Sequence, residues 1–434
     1  MTFRQILFWT HLAAGLIAGA SIGIMCFTGA AIGFESQLVA WAERDARQIA
    51  PPAANATRLP LQELLKRARD AKPGARPSGI AVFADPTAAV AIQFGRDGAL
   101  YANPFTGDVR APASARMHDF MHLMEDWHRV LALSSDNRPI GKAINGAGNV
   151  AFFLLAATGL YLWLPRTWSW RGVKAVALFN WRLTGKARDF NWHNTVGLWC
   201  APVLIVLTLT AVPMSYRWAG DLIYRSLGEI PPGQPSPGAP AAANEIQPPT
   251  PDSRPLNPDA LLAIAQREFP QWQQITLRLS ANLRGGDAPR SAQAKNSAMT
   301  PTELRPRNSE PGTRNSEPGT RNSEPRTRNS DARPSTPQPV GLTVKEPGTW
   351  PRTATTTLTL NPFTGEVLKN EPFAALSTGR QIRSWMRFLH TGEALGFGGQ
   401  LIATLACLGG CVLVYTGIAL AWRRFFGKRP APDA

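Results

Sequence analysis

Four histidines in this chain stand at matched places, and imidazole is a common transition-metal ligand at neutral pH. His11 and His193 each precede a glycine by four residues, at Gly15 and Gly197, and a threonine by seventeen, at Thr28 and Thr210. Met124 and Met386 each stand four residues before His128 and His390, and Trp127-His128 parallels Leu389-His390. Histidines on facing helices can hold haem iron axially, and b-type haem needs no covalent attachment motif. The chain lacks Cys-x-x-Cys-His, which removes the usual c-type attachment. Two bis-histidine haems fit the pattern. His122, six residues before His128, is the alternative to it, and His118 reads as a surface residue.

The elements that must position these side chains are apolar. Residues 12–34, 144–164, 195–213 and 401–422 form four nearly uncharged blocks of about 20 residues, the length that crosses a hydrocarbon core of about 30 Å. The short connection between the second and third blocks carries Arg166, Arg171, Lys174, Arg182, Lys186 and Arg188, and the tail carries Arg423, Arg424, Lys428 and Arg429. The positive-inside rule places both, and the N-terminus, in the cytoplasm. His11 and His193 then enter the membrane from the cytoplasmic side, while His128 and His390 precede their blocks on the outer side. Taken singly, each is explained by an interfacial position. Two layers, each drawing one histidine from each half, point to ligation.

Gly15, Gly19 and Gly23 follow His11 at successive steps of four and share one helix face. They give clearance for a ring, or simply let helices pack closely. The first block resembles a secretory signal but is longer than a typical signal core and lacks a clear small-x-small cleavage site. All four cysteines, Cys26, Cys200, Cys407 and Cys411, fall within apolar blocks, so no disulfide framework is expected in an exported segment. The net charge of +16 is largely accounted for by the basic loops and a basic tract near 284–352, which leaves no nucleic-acid reading. A P-loop, a His-Glu-x-x-His pair and a nucleophile elbow are all absent.

The two long polar segments repeat one plan of helix followed by strands. Each ends in Asn-Pro-Phe-Thr-Gly-acid-Val, at Asn103 to Val109 and at Asn361 to Val367, which argues for duplication of a unit of helix, outer domain, helix. A Pro- and Ala-rich stretch at 231–258 reads as an extended linker. A repeat of Arg-Asn-Ser-Glu-Pro-Gly-Thr from Arg307 has no aliphatic residues to bury and is expected to be disordered.

These residues resemble the PepSY-associated transmembrane family of bacterial iron-regulated inner-membrane proteins, which includes siderophore-iron reductases of the ferrioxamine-reductase kind. The resemblance lies in Trp9-Thr-His11 with Gly15-Leu16, Thr28-Gly29, both Asn-Pro-Phe-Thr-Gly turns, Trp127-His128-Arg129 and Thr158-Gly159-Leu-Tyr-Leu-Trp163. It continues through His193 with Gly197-Leu-Trp199, His390-Thr-Gly-Glu393, and Thr416-Gly417 with Trp422-Arg423-Arg424. Ala211 departs from it, standing where the first copy has Gly29.

The resemblance implies a membrane α-helical fold with four transmembrane helices from a duplicated helix, PepSY-like α+β domain, helix unit. On that plan helix 1 is 1–34, the first periplasmic domain 35–142, helix 2 143–165, a cytoplasmic basic loop 166–192 and helix 3 193–215. The second periplasmic domain is 216–399 with a disordered insertion about 281–350, followed by helix 4 at 400–423 and a cytoplasmic tail at 424–434. It also implies two haems b on His11, His193, His128 and His390, carrying electrons across a bacterial inner membrane to a periplasmic ferric siderophore or other iron chelate. The donor would be a cytoplasmic reductase or a membrane quinol. The competing readings are a haem-free anchored binding or regulatory module and a siderophore permease. Only four spans and no charged midplane residue speak against the permease.

Overall fold

A computed structural model describes residues 1–53, 55–113, 115–164, 169–234, 250, 253–279 and 338–427. In chain order the elements are α1 (Phe3–Ile32), α2 (Glu35–Ala42), α3 (Arg44–Arg47), α4 (Leu61–Ala71), β1 (Gly79–Phe83), β2 (Val90–Gln93), β3 (Ala99–Ala102), β4 (Val109–Arg110), α5 (Arg116–Val130), α6 (Arg138–Trp163), α7 (Trp170–Ala177) and α8 (Gly185–Ser215). They continue as α9 (Arg217–Ser226), α10 (Pro258–Glu268), β5 (Gln274–Arg278), β6 (Val340–Lys345), β7 (Thr356–Leu360), β8 (Val367–Glu371), α11 (Thr378–His390) and α12 (Gly396–Phe425).

Four helices among the described residues are long and apolar enough to cross a membrane: Phe3–Ile32, Ser135–Trp163, Gly185–Ser215 and Glu393–Phe425. Thr2 starts α1 by a reciprocal cap with Gln5, which satisfies backbone donors that the helix leaves open. The four pack in a closed ring, α1 on α6, α6 on α8, α8 on α12 and α12 on α1, which leaves α1 and α8 diagonally opposed. Ile22, Cys26, Phe152, Ala156, Leu204 and Ala406 fill the middle of the bundle. Gly15, Gly19 and Gly23 face Leu155, Ile418 and Val414 on the neighbouring helices, where a Cβ would be at 3.6–4.0 Å. Those are ordinary contact distances, so the ridge lies against α6 and α12 without the packing there requiring glycine.

Between α1 and α6, and again between α8 and α12, the chain leaves the same end of the bundle to build a sheet. Among the described residues, each excursion supplies four strands. The expected two outer domains are joined: one antiparallel sheet runs β4-β3-β2-β1-β5-β6-β7-β8. Its halves meet where β1 pairs β5, from Gly79 opposite Arg278 to Phe83 opposite Gln274. One core serves both, drawing Leu64, Ile80 and Ile92 from the first excursion and Leu261, Leu342 and Leu358 from the second.

The duplication is visible in detail at the two Asn-Pro-Phe-Thr-Gly turns. Asn103 and Asn361 each accept from the amide of the phenylalanine two residues on, at 2.9 Å. Gly107 and Gly365 take φ of +76° and +73°, which L side chains rarely adopt. The second half also caps a helix of the first. α4 begins after Pro60, which gives no side-chain cap, and Asp259 of α10 accepts from the amides of Leu61 at 2.6 Å and Gln62 at 3.3 Å. Asp259→Ala is expected to cost about 0.5–2 kcal/mol, measured as a lower thermal midpoint of the purified protein.

Five bounds expected from the sequence are corrected. β6 lies inside the stretch 281–350 expected to be disordered; Val340, Leu342 and Val344 alternate inward, and the strand pairs both β5 and β7. The heptapeptide tract and most of the linker lie outside the described residues. The loop at 166–192 contains α7, capped by Ser169, and the first turns of α8. Finally, α6, α8 and α12 begin before 143, 193 and 400. Hydropathy marks the thickness of lipid, whereas a helix of 30 residues is about 45 Å long and continues into polar flanks.

Candidate functional site

At the end of the bundle away from the sheet, His11 on α1 and His193 on α8 face each other across the diagonal, with ring centroids 6.5 Å apart. Each imidazole is held by a threonine on the adjacent helix. His11 Nδ1 lies 2.9 Å from Thr158 Oγ1 on α6, and His193 Nδ1 lies 2.9 Å from Thr416 Oγ1 on α12. Both hydroxyl protons are already used, because Thr158 donates to Leu154 O at 2.6 Å and Thr416 to Val412 O at 2.7 Å. The threonine oxygens can only accept, so Nδ1 carries the proton and donates it. Nε2 is left with a free lone pair.

One turn before His193, the carboxylate of Asp189 is buried and ion-paired with Arg188 and with Arg423 of α12, at 3.0 Å each. This ties α8 to α12 next to the loop-end pair. Trp163 and Trp199 donate their indole N–H to Val176 O and Ala177 O of α7. α7 is thereby held against the same end.

At the sheet end, His128 and His390 meet with centroids 6.2 Å apart. Neither sits in a loop: His128 is in the last turn of α5 and His390 ends α11. His128 Nδ1 donates to Thr28 Oγ1 at 3.1 Å and to Met25 O at 3.2 Å, while Thr28 donates to Ile24 O. His390 Nδ1 donates to Leu207 O at 2.9 Å, with Thr210 Oγ1 at 3.5 Å. The backbone carbonyls again place the proton on Nδ1. His122 does not reach His390; it contacts His118 instead.

α5 is held in place from both sides. Asn145 Nδ2 donates to His128 O, and Asp126 pairs with Arg96 of the sheet layer at 2.9 Å and with Arg138 at 3.4 Å. Burial raises the Asp126 carboxyl, but Arg96 and then Arg138 outweigh it and hold it below the ordinary carboxylate range. The pairing therefore supports the fold at neutral pH and is lost as pH falls through that lowered value. α11 is fixed by Arg380 on Glu371 at 2.7 Å and by Glu229, whose carboxylate accepts from Ser377 Oγ and Gly379 N at its N-terminus.

The arrangement fits two-imidazole ligation. A metal–imidazole bond is about 2 Å and the nitrogen stands about 1 Å from its ring centre, so two rings on one ion have centroids roughly 6 Å apart. The two pairs stand at 6.5 and 6.2 Å. Among the described residues no three His, Cys, Asp or Glu side chains converge as a metal site. Met25, beside His128, is fourteen residues along α1 from His11, so the layers lie roughly 20 Å apart.

Sequence reasoning placed the four histidines but missed what holds them. The glycine after three of the four threonines makes room for the ring: a Cβ at Gly159 would come 3.2 Å from His11 Cε1, one at Gly417 3.4 Å from His193 Cε1, and one at Gly29 3.3 Å from His128 Cε1. The fourth copy is Thr210-Ala211, and there the histidine-to-threonine distance is the longest of the four. The repeated Thr-Gly dipeptide was the available signal.

A ring of four membrane-length helices, interrupted twice to build a shared sheet and carrying two diagonal histidine pairs, defines a duplicated multi-pass membrane protein. The family profile described as the PepSY-associated TM region matches residues 8–424, and the chain belongs to that family. A search of curated proteins found no match.

Proposed function

We propose that this protein is a two-haem electron conduit that passes electrons along the bundle from the loop end to the sheet end and reduces a ferric siderophore or other iron chelate there. One observation carries the reading: two histidine pairs at bis-imidazole spacing, every Nδ1 engaged and every Nε2 free of hydrogen bonds among the described residues. His11 with His193 would hold one haem b and His128 with His390 the other. Haem b supplies one-electron redox chemistry when bound. The four histidines would act as ligands, and the threonines and carbonyls behind them orient each ring and aim its Nε2.

The basic connection and tail support a reading with the loop end in the cytoplasm of a bacterium and the sheet in the periplasm. Electrons then come from a cytoplasmic reductase or a membrane quinol. Reduction favours release because an oxygen-rich chelator suited to ferric iron holds the softer ferrous ion less well. The test is the absorption of the purified protein: a Soret band with a sharp reduced α-band, oxidised on adding ferric chelate, is expected. A colourless preparation that takes up no haem would overturn the reading.

A smaller effect tests the supporting layer. Thr158→Val removes the acceptor for His11 Nδ1 while keeping the shape, and outer-layer partners of metal-bound histidines are worth 10–100-fold in affinity. Haem titration into apoprotein is expected to show a weakening of about that size at one site only, with Thr158→Ser restoring most of it.

A further inference from the structure

A second histidine pair lies outside the two layers. His118 and His122 stand one turn apart on α5, with Nε2 atoms 3.2 Å from each other and rings at 82°. Both are half-buried. Two histidines at i and i+4 on one helix face are a recurrent bidentate metal motif. Two metal–nitrogen bonds of about 2.0–2.1 Å at a tetrahedral angle set the nitrogens about 3.3 Å apart, close to what is found. A direct nitrogen-to-nitrogen hydrogen bond at this separation is at the long end of the normal range.

The surroundings favour a cation. Glu125, one further turn along the same face, places Oε2 3.7 Å from His122 Nδ1, on the ring edge away from His118. That Nδ1 is buried and makes no hydrogen bond. A carboxylate behind the Nδ1 of a histidine that ligates through Nε2 is the usual supporting arrangement. Glu35 is nearby, its carboxyl raised by burial and then by Glu125, with Glu393 also contributing. Three carboxylates thus gather at the sheet-end mouth of the bundle, against the guanidinium of Arg129, which Glu125 pairs at 3.2 Å. His118 borders Gly98 in the sheet layer, so the site lies at the junction of sheet and bundle.

We propose that His118 and His122 form a bidentate site for a divalent transition-metal ion, supported by Glu125 and completed by solvent, separate from the His128 and His390 pair. His122 is six residues from His128, roughly 9 Å along the helix. The assignment stands apart from the redox reading; under that reading, the site receives the ferrous product beside the place where it forms. Imidazole ligation ranks copper and nickel above ferrous ion in affinity, so zinc and copper serve as probes.

The test uses the full chain, free of any histidine tag, chelator-treated and dialysed against Zn2+. One zinc per chain is expected, with at least tenfold weaker binding in His118→Asn and in His122→Asn and a smaller loss in Glu125→Gln. Haem content is measured on the same samples and is expected to be unchanged, so failure of this site and failure of the haem reading are told apart. Should a variant not fold, electron paramagnetic resonance of Cu2+ on the parent protein reads the ligands directly, and two imidazole nitrogens are expected. Parent and variants binding zinc alike, no zinc bound by the parent, or a copper signal without two nitrogens would each overturn the proposal.

Discussion

On the proposed two-haem reading, His193→Ala is expected to hold one haem instead of two, and His11→Ala is expected to lose that same haem. The two residues come from different halves of the chain and from diagonally opposed helices, yet their ring centroids stand 6.5 Å apart. Removing either ligand leaves a single imidazole, and among the described residues no third metal-binding side chain completes a set. His128→Ala and His390→Ala are expected to lose the other haem, because that pair is closed at 6.2 Å and lies roughly 20 Å away along the bundle. Haem content by pyridine haemochrome should therefore fall by half in each single variant. The double variant His11→Ala with His193→Ala should fall no further, as expected for residues that act as a unit. The surviving haem should keep its midpoint potential, while electron transfer from one end to the other drops to background in all four. If His11→Ala and His193→Ala spared different haems, the diagonal pairing would be wrong.

That pairing is legible in the sequence because the chain is duplicated. A helix that carries a histidine at one end, repeated after an excursion of similar plan, must bring two histidines to one face of the membrane. The threonines were less legible for a geometric reason. Thr28 follows His11 by the same offset as Thr210 follows His193, which suggests that each threonine serves the histidine of its own helix. Seventeen residues of helix span about 25 Å, so Thr28 lies at the far end and holds His128 instead. The partner of His11 is Thr158 on α6, and no linear spacing announces it.

α5 and α11 were missed because they are short and polar outside their buried stripes of Met121, Met124 and Val130, and of Gly379 and Phe388. Hydropathy alone therefore places His128 and His390 in connections, when each is carried on a helix laid against the bundle. The shared sheet was hidden for another reason. β1 and β5 are separated by almost two hundred residues, and their pairing gives each half a neighbour for an edge that would otherwise be open. β6 was obscured by its position directly after a long polar tract.

Gly417→Leu is expected to remove the loop-end haem as completely as His193→Ala, although Gly417 is no ligand. A Cβ there comes 3.4 Å from His193 Cε1 and 3.9 Å from its Nδ1, and the further carbons of leucine would occupy the space of the ring. The imidazole would have to leave Thr416, and with that contact go the tautomer and the aim of Nε2. Gly417→Ala should be far milder, and the protein contains its own comparison. Ala211 follows Thr210 at the matching place beside His390, and there the ring still faces His128 but sits 3.5 Å from the threonine oxygen and relies on Leu207 O at 2.9 Å. One methyl group thus accompanies a looser threonine contact while the pair stays closed. Gly417→Ala is accordingly expected to keep both haems with a shifted midpoint potential at one of them, and Gly159→Leu to reproduce Gly417→Leu by displacing His11, where a Cβ is tighter still at 3.2 Å. Spectra of the reduced proteins separate the outcomes. Two intact haems in Gly417→Leu would mean that the threonine-glycine cradle does not set the position of the ring.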